Sequence, residues 1–236
     1  MERDEVPGAV NNGDLPFMFL FLLNHFSKAI IAQLAEEAGI KPHMAASISI
    51  LAVKVFSNPS FLWRGKPLID ILIAKDRVVC PVLFGIRGKE TTEGGKERLG
   101  WQKIGGKFIR DEVHFNRMTG FGAGYASLCL RDFSKSKSRH PYSVSYYWMA
   151  MASILSTPPE KISRTQCFVL KAMIDNYQEK FFRFYGAAAL AALQIATIHF
   201  PARIAEQNDA TLALRALPAK MKLELGIDLI DDAFRA

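Results

Sequence analysis

Lys75 and Arg77 close an apolar run, Leu68, Ile69, Leu72, Ile73 and Val79, whose spacing predicts a short buried helix. The residue before a proline is biased away from helix, so this one ends near Cys80, ahead of Pro81. Cations in a last turn complement the negative end of the helix dipole. The same pair also reads as one lobe of an anion site. Lys135, Lys137 and Arg139, in the serine-rich loop 134–141, admit two similar readings, a phosphate-holding loop or a solvated one.

Other residue sets fail the tests for chemistry. Gly120, Gly122 and Gly124 lack the spacing of a dinucleotide fingerprint and follow no strand, so they read as small residues at a helix contact. Segment 88–96 is not a Walker loop, because no glycine stands at the required position upstream of Lys96 and no Ser or Thr follows it. His25, His43, His114, His140 and His199 are scattered without metal-ligand spacing. Asp70, Asp76, Asp111, Glu112, Asp175, Asp231 and Asp232 read as cap or surface carboxylates, not as a matched acid and base. Trp63, Trp101 and Trp148 lie among aliphatic residues and suit a core or pocket wall better than a base-stacking platform. Nothing here supports catalysis.

Helices must position these residues, since no segment alternates apolar and polar residues with period two. Residues 1–14 read as a flexible leader ending in a cap at Asp14, with Pro16 in the first helical turn. The apolar run 15–23 follows acidic rather than basic residues, and extending it to spanning length brings in Asn24, His25, Ser27, Lys28 and Gln33. It therefore reads as the start of a buried helix over 16–38. Further helices are predicted over 44–56, over 115–133, and through Tyr146, Tyr147, Trp148 and Ile154. An exposed excursion over 85–106 is pinned at Leu99 and Trp101. Ser163 and Gln166 have capping-box spacing, and the stripe Leu170, Met173, Ile174, Tyr177, Phe181 and Phe184 predicts one helix stopped at Gly186. Segment 187–200, apolar nearly all round, predicts a central buried helix ended by Pro201, and 209–225 predicts the last. The fold class is all-α, with stacked antiparallel helix pairs forming a single domain over 15–236.

At 236 residues and 50% hydrophobic content the chain can bury a substantial core, which excludes a disordered protein. A formal charge of +7 favours polyanionic partners: nucleic acid, inositol phosphates or acidic protein surfaces. Cys80, Cys129 and Cys167 are few, odd in number and far apart, which argues against a disulfide framework and for a reducing compartment.

Segment 61–101, followed in order by Asn116-Arg-Met-Thr-Gly120, Tyr147-Trp148, Ser156-Thr-Pro-Pro159, Gln166-Cys-Phe-Val-Leu-Lys171 and Phe184-Tyr-Gly186, closely resembles the C-terminal domain of fungal-like Gle-one-type mRNA export factors. The likeness runs from about Leu15 to Phe200. It implies a HEAT-like and MIF4G-like all-α domain at the cytoplasmic face of the nuclear pore complex, shared between nuclear envelope and cytoplasm. Such a domain stimulates a DEAD-box RNA helicase that remodels exported messenger ribonucleoprotein, and is not itself an enzyme. Inositol hexakisphosphate is the implied bridging ligand. An FG-repeat nucleoporin and translation initiation and termination factors are the further implied partners. The alternative reading is a helical-repeat RNA-binding or translation-initiation scaffold module that uses the basic surface directly.

The resemblance carries an inositol-phosphate site onto Lys28, Lys75 and, most weakly, Arg77. Yeast-like members have a lysine at the position of Lys28, a histidine where this chain has Ala32, an arginine at Lys75, and paired lysines at Val78 and Val79. Positions 75, 78 and 79 share a helix face, whereas Arg77 points roughly opposite. The expectation is helicase stimulation with weak or absent dependence on inositol hexakisphosphate.

Overall fold

A computed structural model describes residues 15–204 and 208–229. The leader, its cap at Asp14, and the carboxylates Asp231 and Asp232 lie outside the described residues. After Pro16 comes α1 (Phe17–Gln33), which continues into a wider π turn at Leu34–Ala38. Then follow α2 (Met44–Phe56), α3 (Asp70–Val79), the short α4 (Glu93–Arg98), α5 (Asp111–Cys129) and α6 (Ser145–Leu155). The last described helices are α7 (Arg164–Ile174), α8 (Gln178–Tyr185), α9 (Ala187–Gln194), α10 (Phe200–Ala202) and α11 (Asp209–Leu225). Two hairpins of two-residue strands, Leu62–Trp63 with Lys66–Pro67 and Lys103–Ile104 with Lys107–Phe108, leave the all-α class intact.

The central helix is α5. It packs against α2, the π turn and α7, and from Phe121 to Cys129 every residue is buried. Its glycines explain how. A Cβ on Gly120 would lie 1.9 Å from the Leu34 carbonyl oxygen, and one on Gly122 would lie 2.7 Å from that of Val169. Only hydrogen at these positions lets the main chains meet. Gly39 faces the same crossing from the other side, with Asn116 O at 2.6 Å from its would-be Cβ.

Four expectations need correction. The run 15–23 is not a buried segment: Phe17 is 82% exposed, and Met18, Phe21 and Leu22 are also exposed. Its first turns meet the rest of the chain mainly through Phe19, against Phe61, and Leu23. By length and composition alone Phe17–Ala38 would suffice to cross a membrane, with a mean hydropathy of 1.4. The second half of that helix instead lies against α2 and α3.

The stripe from Leu170 to Phe184 belongs to two helices, because Asn176 adopts φ +69° between α7 and α8. Asp175 marks this break, accepting from Lys171 at 2.8 Å and from Lys220 of α11 at 2.6 Å. Segment 187–200 is not central: Ala187, Ala188, Ala191 and Ile195 are exposed. Pro201 does not stop it at once: a π turn at Ile195–His199 continues directly into α10, which runs one residue past the proline to Ala202. Finally, Asp76 is no cap or surface group; it is 5% exposed within α3.

The excursion 85–106 folds back, with its two expected pins, Leu99 and Trp101, buried. Trp101 stacks on His114 at 3.9 Å and 15°, while Lys96 lies 4.3 Å from the indole centroid. Glu90 adds a polar pin, accepting from the N–H and the hydroxyl of Thr165, both at 2.7 Å. At the start of α7 the predicted capping box is formed between Ser163 and Gln166.

Candidate functional site

Helices α1 and α3 pack side by side and bring two of the three expected anion-site cations to one seam. Lys75 Nζ, on α3, donates to Asn24 Oδ1 on α1 at 2.6 Å. Asn24 and Lys28 are four residues apart, which places Lys28 on the same face one turn along. Lys28 is exposed, and so is Ala32 a further turn on. On α3 the same face continues through Val78, 74% exposed, and Val79, half-buried. The seam therefore offers two cations, one already donating to an amide, beside an apolar edge.

Arg77 stands apart from that pair. Its guanidinium lies 5.9 Å from the Phe84 ring centroid, and it shares the rim of a cavity of about 330 Å³ with Asp70 and Tyr146. Tyr125 and Tyr142 line that cavity as well, their hydroxyls 3.2 Å apart. Between the two basic residues, buried Asp76 has its carboxyl pushed up to about 7 by desolvation. The acid therefore resists ionisation where its two neighbours in sequence are cations.

The remaining sequence candidates resolve as follows. Loop residues Lys135, Lys137 and Arg139 are exposed, and the hydrogen bonds there are local ones, Ser134 N–H to Asp132 and Ser138 N–H to Ser136. Trp101 is core; Trp63 and Trp148 are half-buried, the latter against Phe181 and Tyr185. Cys80, Cys129 and Cys167 are buried free thiols. Among the described residues no cluster of three or more His, Cys, Asp or Glu side chains is arranged for a metal. Sequence reasoning missed a basic cavity lined by Arg87, Lys89, Arg98 and Lys161. The first three lie in the excursion, but no local pattern signals that Lys161 joins them.

The described helices define a class: an all-helical domain of stacked short helices around one central helix, with basic recesses. The family described as GLE1-like protein matches residues 4–197, and the chain belongs to it. The mRNA export factor GLE1 of Chaetomium thermophilum is 52% identical over 228 residues, 96% of this chain and 43% of that protein. The Saccharomyces cerevisiae mRNA export factor GLE1 is 24% identical over 192 residues, 80% of this chain and 35% of that protein. The chain thus spans less than half the length of these curated relatives. Among solved structures, the S. cerevisiae Dbp5 C-terminal domain bound to Gle1 and IP6 gives a TM-score of 0.76 at 22% identity, covering 88% of this chain and 70% of that one. At that identity the likeness establishes the fold, which agrees with the all-α expectation.

Proposed function

We propose that this chain acts in mRNA export as an activator of a DEAD-box RNA helicase, and that it performs no chemistry itself. The observation that carries this reading is the 52% identity, across nearly the whole chain, to a protein named as an mRNA export factor. A fold likeness to a structure in which Gle1 is bound to the Dbp5 C-terminal domain and IP6 supports it. Activation then works by differential affinity: the domain favours one arrangement of the helicase lobes and speeds turnover only as far as it distinguishes that arrangement from others. The working place is the cytoplasmic face of the nuclear pore complex, with an FG-repeat nucleoporin as a further partner and translation factors as additional clients.

Inositol hexakisphosphate is a weak ligand of the α1–α3 seam in this reading. Lys28 and Lys75 remain, but Val78 and Val79 supply no charge, and each charge-assisted hydrogen bond forgone is worth roughly 1.5 to 3 kcal/mol. Arg77 lies beside Phe84 and does not replace them.

The test is steady-state ATPase activity of the cognate helicase with RNA, with and without this chain and inositol hexakisphosphate. Stimulation that changes little on adding the inositol phosphate is expected. Salt-sensitive RNA binding with no effect on the ATPase would favour the scaffold reading instead.

A further inference from the structure

Segment 85–89, the start of α4 and the turn Pro159–Lys161 border an open cavity of about 610 Å³. Its lining supplies four cations, Arg87, Lys89, Arg98 and Lys161, and no carboxylate. Acidic side chains nearby in sequence are engaged elsewhere: Glu90 accepts from Thr165, and Glu93 and Glu97 accept from Lys103. Glu160, next to Lys161, is not part of the lining.

Arg87 is held in place yet not saturated. Its Nη2 donates to Ser156 Oγ at 3.1 Å and to the Ser153 carbonyl at 3.4 Å, while its Nε is buried without an acceptor. The side chains of Lys89, Arg98 and Lys161 make no hydrogen bond or ion pair among the described residues. The floor is main chain packed on main chain. A Cβ on Gly88 would lie 2.3 Å from Gly95 O, and one on Gly95 would lie 2.0 Å from Lys89 O. Gly94, by contrast, faces open space.

Four like charges around one recess repel one another. A ligand with several negative charges in a small volume removes that repulsion and gains charge-assisted hydrogen bonds. The lining offers no aromatic ring for stacking a nucleobase and no apolar anchor for a peptide side chain. We propose that this cavity binds a compact soluble polyphosphate, independently of the α1–α3 seam. The assignment does not rest on the helicase reading.

Calorimetric titration of sodium tripolyphosphate into the whole chain tests it. The triple variant Lys89→Ala, Arg98→Ala, Lys161→Ala should bind at least about tenfold more weakly. Gly94→Glu puts a carboxylate at the cavity from a position with room for a side chain, so it should weaken binding similarly without lowering the thermal midpoint. The double variant Lys28→Ala, Lys75→Ala should keep the wild-type affinity. The proposal is overturned if wild-type chain shows no binding, or if the loss is confined to the Lys28 and Lys75 variant. It is equally overturned if single-stranded RNA, or vesicles containing phosphatidylinositol bisphosphate, bind more tightly than tripolyphosphate and are released by Gly94→Glu.

Discussion

Glu90 and Thr165, 75 positions apart in sequence, are joined by two hydrogen bonds of 2.7 Å, both ending on one carboxylate oxygen. The Thr165 hydroxyl has a single proton, which goes to Glu90. The contact of 2.9 Å between Thr165 Oγ1 and His114 Nε2 must then be donated by the imidazole. His114 is thereby fixed as the neutral Nε2–H tautomer, with Nδ1 buried and unpartnered. Desolvation, followed by the charges of Arg117 and Lys96, holds its pKa down to about 3. One carboxylate on the surface excursion thus orients a polar chain that runs into the core.

Glu90→Ala should release that excursion. Thr165 would lose the acceptor for its N–H, and an unsatisfied buried donor costs about 1 to 3 kcal/mol. Amide hydrogen exchange over residues 86–106 should rise well above that of α5. Unchanged exchange would show that Leu99 and Trp101 hold the segment unaided.

Two glycine substitutions should act with opposite sign. Gly120→Ala drives a methyl group into the Leu34 carbonyl oxygen, 1.9 Å away, and should destabilise by about 3 kcal/mol or more. Gly94→Ala, in open space on α4, should be neutral or stabilise by up to about 1 kcal/mol. Urea midpoints of the two variants, compared at constant slope, decide the matter.

Stability should depend on pH in two opposed limbs. Asp76 has a folded pKa near 7 against 3.8 unfolded, so the native state holds its proton longer and stability falls as pH rises from about 4 to 7, by about 4 kcal/mol. His114, lowered to about 3, and His140, lowered to about 4, act in the other direction. Their native forms stay neutral, so stability rises with pH up to about 6.5. From about pH 4 to 6.5 the two histidines together outweigh Asp76, so Asp76→Asn should steepen the rise of stability with pH, and chemical denaturation at pH 5 and pH 8 should find the variant more stable than wild type mainly at pH 8.

A single charge on the α3 face should strengthen the seam. Val78 is 74% exposed, so Val78→Lys introduces a cation without disturbing the core. Inositol hexakisphosphate affinity measured by calorimetry should rise by about tenfold. An unchanged affinity would show that this face does not meet the ligand.

Much of the helical layout was legible because spacing and stop signals agree locally. The bounds 44–56 and 209–225 coincide with α2 and α11, which give way to Ser57-Asn58-Pro59 and to a left-handed Gly226. The break between α7 and α8 was not legible: the apolar period runs through it unperturbed, and the turn depends on Asn176 taking a left-handed conformation that many asparagines never adopt. Segment 187–200 misled for another reason. Alanine counts as apolar in a pattern yet is small enough to stand exposed, as Ala187, Ala188 and Ala191 do. Asp76 reads as a surface charge, and only the arrangement around α3 shows that it is buried.

The candidate sites divide along the same line. Lys28 and Lys75 were found by resemblance, and the packing of α1 on α3 explains why residues so far apart share a seam. The larger basic cavity takes Lys161 from a turn remote from the excursion, and long-range placement of that kind leaves no periodic trace in sequence.

The crossing of α5 over the turn at Leu34–Ala38 has a consequence for how such a chain can diverge. At two of its contacts, Gly120 against Leu34 O and Gly39 against Asn116 O, the facing groups are peptide atoms, so no side chain there can be trimmed to absorb a change; Gly124, by contrast, faces the Leu34 side chain. An ordinary core position drifts because a neighbour can shrink when it grows. Gly120 and Gly39 have no such exchange partner, so a lineage that loses either glycine must shift one main chain against the other, whereas a change at Gly124 can be met by a smaller residue at Leu34.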